Sequence, residues 1–280
     1  MKYKLFIPDH NTKISDDNIW RWYTNIFNEL NDEYLSDDKE YLINYYLDAG
    51  LLRYWRRSFF RYHYSRTFTH AVQHLFQLKK DPHIIDLGCG TGTQTIMLSL
   101  LGAKVTGIDI DEKALSILNK RKSFYEKLSG RILDIKVFSS SAFDFDYGSI
   151  APIQGIYSMF AFNLMKPSRS LIEKLVPHLS EDCSLAILDG NNISWLAKIF
   201  PNRRREECLT PFEMEGLLYE YGFDILHHDA GFVIPPICWF LLPGSILRPI
   251  DRFLGKSWYL AISHQILARR HDSKASEESS

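Results

Sequence analysis

Apolar and polar positions divide the chain into two regimes. From residue 15 to 78 apolar residues recur at helical spacing with almost no Gly or Pro; Gly50 is the obvious break, and the pattern predicts about three helices. Asp81-Pro82 then punctuates the chain, and short β-branched runs alternate with longer amphipathic ones: HIIDL, TQTIMLSLL, KVTGID, EKALSILNKRKSFYEKL, DIKVF, GIYSMFAF, SRSLIEKLVPHL and SLAILD. That alternation marks a parallel sheet with crossover helices. A further helix is expected at Thr210, where Thr-Pro-Phe-Glu sets a cap, a first-turn proline and a capping-box glutamate in order and Gly222 closes it. FDILHH reads as a sixth strand and WYLAISHQILARR as the last. The expected fold class is α/β, a mostly parallel sheet with helices on both faces. Residues 1–79 form an N-terminal helical cap, 80–270 the α/β domain with an apolar insertion at 230–256, and 271–280 a polar tail too poor in apolar residues to fold.

The segment HIIDLGCGTGT, residues 83–93, carries Asp86 near the end of an apolar strand and then sets Gly88, Gly90 and Gly92 where a helix opens. Glycines there let the chain turn sharply and let a ligand rest against the backbone, close to the amides of the helix N-terminus. Asp109 ends the next strand, KVTGID, where an acid meets two ribose hydroxyls. The G-x-G-x-G spacing, with an acid two residues ahead, differs from the G-x-G-x-x-G of dinucleotide folds, so the ligand need not carry a pyrophosphate.

This segment resembles motif I of the class I S-adenosylmethionine-dependent methyltransferases, whose acid, apolar and glycine positions are matched by Asp86, Leu87, Gly88, Gly90 and Gly92. The resemblance runs from about residue 80 to 270. It implies a Rossmann-like sheet of seven strands, the last antiparallel, and S-adenosyl-L-methionine as cofactor. It further implies that the loop backbone, Cys89 included, contacts the methionine portion, that Asp109 beside Ile110 holds the ribose, and that Ser141 and Ala142 meet the adenine. The family often has an acid at the place of Ser141; a serine hydroxyl accepts a hydrogen bond without a carboxylate's charge assistance, and a plain polar loop over 139–141 is the alternative.

Open α/β sheets bind ligands outside the carboxyl ends of their strands. Phe160, Phe162 and Asn163, ending strand four, are therefore expected near the transferable methyl, Phe160 towards the cofactor and Phe162 and Asn163 towards the substrate. A turn or capping role for Asn163 is the alternative. In several small-molecule methyltransferases an arginine or tyrosine from a preceding helix reaches the cofactor's carboxylate. Tyr64, Ser65 and Arg66 stand in that place and Arg66 is the expected counterpart, with Arg53, Arg56, Arg57 and Arg61 as competitors and a solvated helix face as the alternative. His70 and His74 stand one helical turn apart without a third ligand at suitable spacing, so no metal is expected. Arg203 to Arg205 read as a solvated charge run. His227, His228 and His264 have the right chemistry for a general base, but the sequence places none at the methyl.

Composition narrows the picture. A chain of 280 residues that is 45% hydrophobic can bury a real core, and a net charge of −1 argues against gripping nucleic acid over a wide face. Cys89, Cys183, Cys208 and Cys238 lie far apart, as suits reduced thiols, and the first seventeen residues hold no apolar stretch of signal-peptide length, so a cytoplasmic location is expected. Aromatics crowd residues 20–76; the first reading is the core of a helical subdomain, and the second, since three short helices seldom need so much aromatic surface, is a cap that covers the carboxyl edge of the sheet and walls part of an acceptor pocket. Ala230 to Leu247 carries no charge, but Pro235, Pro236 and Pro243 disfavour a spanning helix. The insertion is expected to close the pocket as a lid; peripheral contact with a membrane, helped by Arg248, Arg252 and Lys256, is the alternative. The function expected is methyl transfer to a small-molecule, sugar or lipid-like acceptor. The alternatives are a non-catalytic cofactor-binding module and a nicotinamide-dependent oxidoreductase; the glycine spacing and the missing Tyr-x-x-x-Lys pattern count against the latter.

Overall fold

The computed structural model describes residues 5–48, 50–195, 209–254 and 257–271. Seven strands form one sheet: β1 (His83–Leu87), β2 (Lys104–Asp109), β3 (Ile135–Ser139), β4 (Ile153–Met159), β5 (Leu179–Gly190), β6 (Phe223–Gly231) and β7 (Ser263–Arg270), in the order β3-β2-β1-β4-β5-β7-β6. The first five strands pair in parallel, and β7 is antiparallel to both β5 and β6. The central strands are apolar on both faces because both are covered; β1 is buried at all five positions. Strand order reverses between β1 and β4, so the loops after these strands splay apart and leave a crevice at their carboxyl ends.

The helices are α1 (Asp16–Thr24), α2 (Ile26–Glu29), α3 (Lys39–Asp48), α4 (Leu51–Tyr54), α5 (Ser58–Leu75), α6 (Thr93–Leu100), α7 (Glu112–Ser129), α8 (Ser168–Leu175), α9 (Pro211–Glu220), α10 (Cys238–Leu241) and α11 (Gly244–Leu254). The expected helix at Thr210 has its full capping box: Glu213 N donates to Thr210 Oγ1, and Thr210 N donates to the Glu213 carboxylate. The last strand starts five residues later than expected, at Ser263, because Trp258 to Leu260 form a turn.

The region read as three helices is more broken: α1 to α5 plus a 3₁₀ turn at Glu33–Asp38. Nor is it a separate domain. Trp22, Tyr23, Phe59 and Phe68 belong to one hydrophobic cluster with Ile84, Val105 and Leu118 of the α/β part. The long α5 lies on the sheet, where His74 Nε2 is 2.8 Å from the Ala268 carbonyl and Gln265 Nε2 donates to Thr67 O. A boundary at residue 79 therefore marks a change of pattern and no break in packing.

Between β6 and β7, α10 and α11 pack against α4 and α5. Trp239 is buried against Tyr54, Phe59, Phe60 and Phe232, and its Nε1 donates to Ile234 O. No helix among the described residues is long and apolar enough to cross a membrane. The tail from 272, Arg203 to Arg205, Cys208 and Lys256 lie outside the described residues.

Candidate functional site

The glycine loop follows β1 and turns into α6. Gly88, Gly90 and Gly92 all take positive φ, where a side chain is strained. Neighbours also require the missing Cβ at each: at Gly88 it would land on the Ala161 side chain, at Gly90 on the Tyr45 hydroxyl, and at Gly92 on Leu118 of α7. Asp109, at the end of β2, ties this loop to the next. Its Oδ2 accepts from Gly90 N at 2.8 Å and its Oδ1 from Asp111 N at 2.9 Å.

A cavity of about 920 Å³ opens at the carboxyl ends of β1, β2, β4 and β5. The α/β part contributes Gly88, Gly90, Asp109, Ile110, Ser141 and Phe160; the cap contributes Tyr23, Tyr41, Tyr45, Tyr46 and Tyr64. Tyr157 of β4 adds a buried hydroxyl without a hydrogen-bond partner. Met159, Met165, Phe232 and Ile262 supply an apolar wall. Phe160 and Phe232 are the non-glycine residues held at positive φ, both at 54°, among the described residues. Each such residue costs about 1 kcal/mol or more, and such strain collects at functional sites because the surrounding pairing enforces it. A shallower hollow of about 640 Å³ lies along α7 and β3 and includes no residue of the glycine loop.

A buried polar network fastens the cap to the loop. Arg121 of α7 donates through Nε and Nη2 to the Glu29 carboxylate at 2.6 and 3.1 Å, and through Nη1 to Thr91 O at 2.6 Å and Thr93 Oγ1 at 2.9 Å. Tyr125 donates to the same carboxylate, Tyr46 joins at Thr93 Oγ1, and Trp22 Nε1 donates to Thr93 O. Burial disfavours the Arg121 charge, but Glu29, with Tyr46 and Tyr125, more than offsets this and holds its pKa well above the ordinary value.

Two buried carboxyls line the cavity. Burial pushes Asp86 up to about 7, opposed by its bond from Thr95 Oγ1 and reinforced by Asp109. Burial also pushes Asp189, at the end of β5, up to about 7, opposed by the donor Asn163 N. Behind Asp189 runs a polar chain: His264 stands opposite it on β7, His264 Nδ1 lies 3.4 Å from His228 Nε2, and His228 Nδ1 lies 2.8 Å from Glu215 Oε2. Burial, with His228 close by, drives His264 down to about 3, so its ring is neutral.

Several expected site residues fall elsewhere. Arg66 points outward on α5 and donates to the Tyr62 hydroxyl; Tyr64, two residues earlier on the inner face, lines the cavity instead. The Cys89 thiol turns into the core against Gly107 of β2, and burial raises its pKa well above the ordinary value. Gly92 is a packing glycine under Leu118 and does not line the cavity. Phe162 is fully buried in the core beneath the opposite face of the sheet. Asn163 does line the cavity, yet its side chain exchanges hydrogen bonds with the Leu209 backbone, a pinning role. Ser141 also lines it, although its Oγ accepts from Phe143 N and shapes a turn. Asp86, Gly88, Gly90, Asp109, Ile110, Ala142 and Phe160 come together on the cavity as expected. None of the three histidines considered as bases lines it. The residues that pattern reading missed are Glu29, Arg121, Tyr157, Asp189 and Phe232; of these only Asp189 had a signal, its place at the carboxyl end of a strand.

A doubly wound sheet of this order, with a glycine loop after β1 and an acid after β2, defines a Rossmann-like protein of the class that binds S-adenosylmethionine. The chain belongs to the methyltransferase domain family, whose model matches residues 78–222, just over half its length. It is 33% identical over 91 residues to the probable S-adenosyl-L-methionine-dependent methyltransferase TehB of Haemophilus influenzae, a match covering 32% of this chain and 29% of that one. The chain spans less than two-fifths of the length of the curated relatives it matches first. Among solved structures, the plantazolicin methyltransferase BpumL in complex with S-adenosylhomocysteine aligns with a TM-score of 0.52 and 20% identity, covering 92% of this chain and 98% of that one. The [4+2]-cyclase SpnF aligns with a TM-score of 0.54 and 15% identity, covering 74% and 81%. These likenesses show the fold.

Proposed function

We propose that this chain transfers a methyl group from S-adenosylmethionine to a small organic acceptor with an apolar or lipid-like body. The observation that carries the reading is a single cavity in which the glycine loop and Asp109 share one chamber with the tyrosines of the cap and the apolar wall of Met165, Phe232 and Ile262. Its volume lies in the range of about 300–1,000 Å³ usual for cofactor and ligand sites.

The residues present fit the cofactor. Asp109 would hold the ribose hydroxyls, Ile110, Ser141 and Ala142 the adenine, and the backbone at Gly88 and Gly90 would face the methionine portion. The Tyr157 hydroxyl, buried without a partner, suits the polar end of the methionine portion. When bound, the cofactor supplies a methyl made electrophilic by its sulfonium. The protein's share is to position the acceptor and exclude water, which Phe160 and Phe232 do at the cavity wall. Asp189 is the wall residue suited to take up a proton from an acidic acceptor, since a base with a pKa of about 7 is matched to neutral pH. The apolar wall disfavours a bare sugar.

Isothermal titration with S-adenosylmethionine, S-adenosylhomocysteine and NAD tests the cofactor, and transfer of a labelled methyl to extract fractions tests the acceptor. Absence of binding by the two sulfur ligands in folded protein would overturn the reading. A second reading rests on the likeness to a cyclase: the chamber holds a reactive acceptor without moving a methyl. Cofactor binding with no label transferred to any fraction would favour it.

A further inference from the structure

The insertion between β6 and β7 was expected to cover the cavity, yet of its described residues only Phe232 reaches the cavity wall. Its two short helices instead leave apolar side chains in solvent. Ile237 is 64% exposed, Leu241 72% and Phe253 87%, and Ile246 and Ile250 are also exposed. On α11 the spacing explains this. Leu247 and Asp251, four apart, turn inward, where Leu247 is buried and Asp251 lies 2.7 Å from His63 Nε2. Ile246, Ile250 and Phe253 form a neighbouring stripe that the cap does not reach. The apolar face of this helix is thus wider than the surface available to bury it. Leaving such a patch bare is costly for a soluble monomer.

The charged side chains stacked on the patch or exposed on its helices are arginines. The Arg57 guanidinium lies over the Phe240 ring at 4.0 Å, Arg248 over the Tyr62 ring at 4.8 Å, and Arg252 is exposed on α11. The single acid between residues 230 and 254 is Asp251, which is buried, and residues 50–80 contain neither Asp nor Glu. A second copy of this chain is a poor partner, because a two-fold contact would bring the same arginines together with no exposed acid of the patch to offset them. Anionic lipid head groups offset them directly, and the apolar stripe enters the acyl boundary. At about 16 Å, α11 is too short to cross a bilayer but long enough to lie in its surface.

We infer that the exposed face of α10 and α11 is a docking surface for an anionic membrane. Trp239 and Leu247 on the inner side fix the two helices to the cap, so the face is presented rigidly. The inference does not depend on methyl transfer, since docking is read whatever the cavity binds. The test is flotation of the full chain with phosphatidylcholine vesicles, with and without about 30 mol% phosphatidylglycerol. The wild type is expected to float with the anionic vesicles and to be released by raising salt from about 0.1 to 0.5 M. Leu241→Ser/Phe253→Ser should lower partitioning at least about tenfold, and Arg248→Glu/Arg252→Glu should abolish the dependence on anionic lipid. Circular dichroism and a melting curve check that the variants fold, and Ile246→Ser provides a milder change to the same face. Wild type that stays with neither vesicle, or flotation that all three variants leave unchanged, overturns the proposal. So does a wild-type dimer in analytical ultracentrifugation that Leu241→Ser/Phe253→Ser converts to monomer without any vesicle binding.

Discussion

Substituting Glu29 by Gln should destabilise the whole protein and loosen the glycine loop together. Both partners of the Glu29–Arg121 pair are 1% exposed, and every other acceptor of the guanidinium is neutral: Thr91 O, Thr93 Oγ1 and the Tyr46 hydroxyl. Glu29→Gln keeps the shape but leaves a buried positive charge without its counter-charge, which costs about 3–5 kcal/mol. That is a large share of a total stability of roughly 5–15 kcal/mol. At roughly 2–4 °C per kcal/mol the melting temperature falls by about 10 °C. Because Arg121 also holds Thr91 and Thr93, cofactor affinity should fall in protein that is still folded. Replacing both partners, as Glu29→Leu/Arg121→Met, should recover much of the stability without restoring the loop contacts. Urea unfolding of Glu29→Leu, Arg121→Met and the pair gives the coupling energy, and titration with S-adenosylhomocysteine gives the affinity. A loss below about 1 kcal/mol for Glu29→Gln, or no coupling between the sites, would refute the argument that this pair clamps cap to loop.

Asp109→Ala is expected to weaken cofactor binding by about 1–3 kcal/mol and also to lower stability, since Gly90 N and Asp111 N lose their acceptor; unchanged affinity in folded protein would remove Asp109 from the site. Gly90→Ala should be damaging both through its positive φ and through the Tyr45 hydroxyl, so Tyr45→Ala in the same chain should restore part of the loss; no rescue would mean that backbone strain alone is responsible. The cofactor-free protein should lose stability as pH rises from about 4 to 7, because Asp86 and Asp189 hold their protons more tightly in the fold, up to about 7, than in the unfolded chain. Asp189→Asn should flatten that slope, by at most about 4 kcal/mol across the interval, and a chemical-denaturation series showing an unchanged slope would count against a buried neutral carboxyl there. Removing residues 1–60 should prevent folding altogether, given that Trp22, Tyr23 and Phe59 sit in the common core; a stable truncated protein by circular dichroism would show the cap to be independent.

The sheet and the glycine loop were readable because their signals are local. A run such as HIIDL is apolar at consecutive positions because a central parallel strand is covered on both sides, and three glycines in five residues report a backbone that must turn and take positive φ. The place of Asp109 on the cavity was readable for the same reason, since it follows from its position at the end of a strand. Arg66 failed because any of several arginines on neighbouring turns fits the pattern, and only the rotation of α5 on the sheet decides that Tyr64 faces inward and Arg66 does not. Phe162 failed because the chain turns just before it, at Phe160, whose positive φ sends the next side chains to different sides.

By itself, then, the order of residues determined the elements, the winding of the sheet and the glycine loop at the cavity, all of which rest on interactions within a few residues or on a repeating burial pattern. Tertiary structure alone decided that the cap shares its core with the sheet, that Glu29 meets Arg121 across 92 residues, and that Asp189 and Tyr157 come to line the cavity. It also decided that the insertion lies beside the cavity instead of over it, with an apolar stripe left uncovered. The reason is physical. Local propensity and periodicity fix which face of an element is apolar, whereas the partner that covers each face is chosen by the packing of elements distant in the chain, and a buried charge is tolerated only where that packing brings its counter-charge.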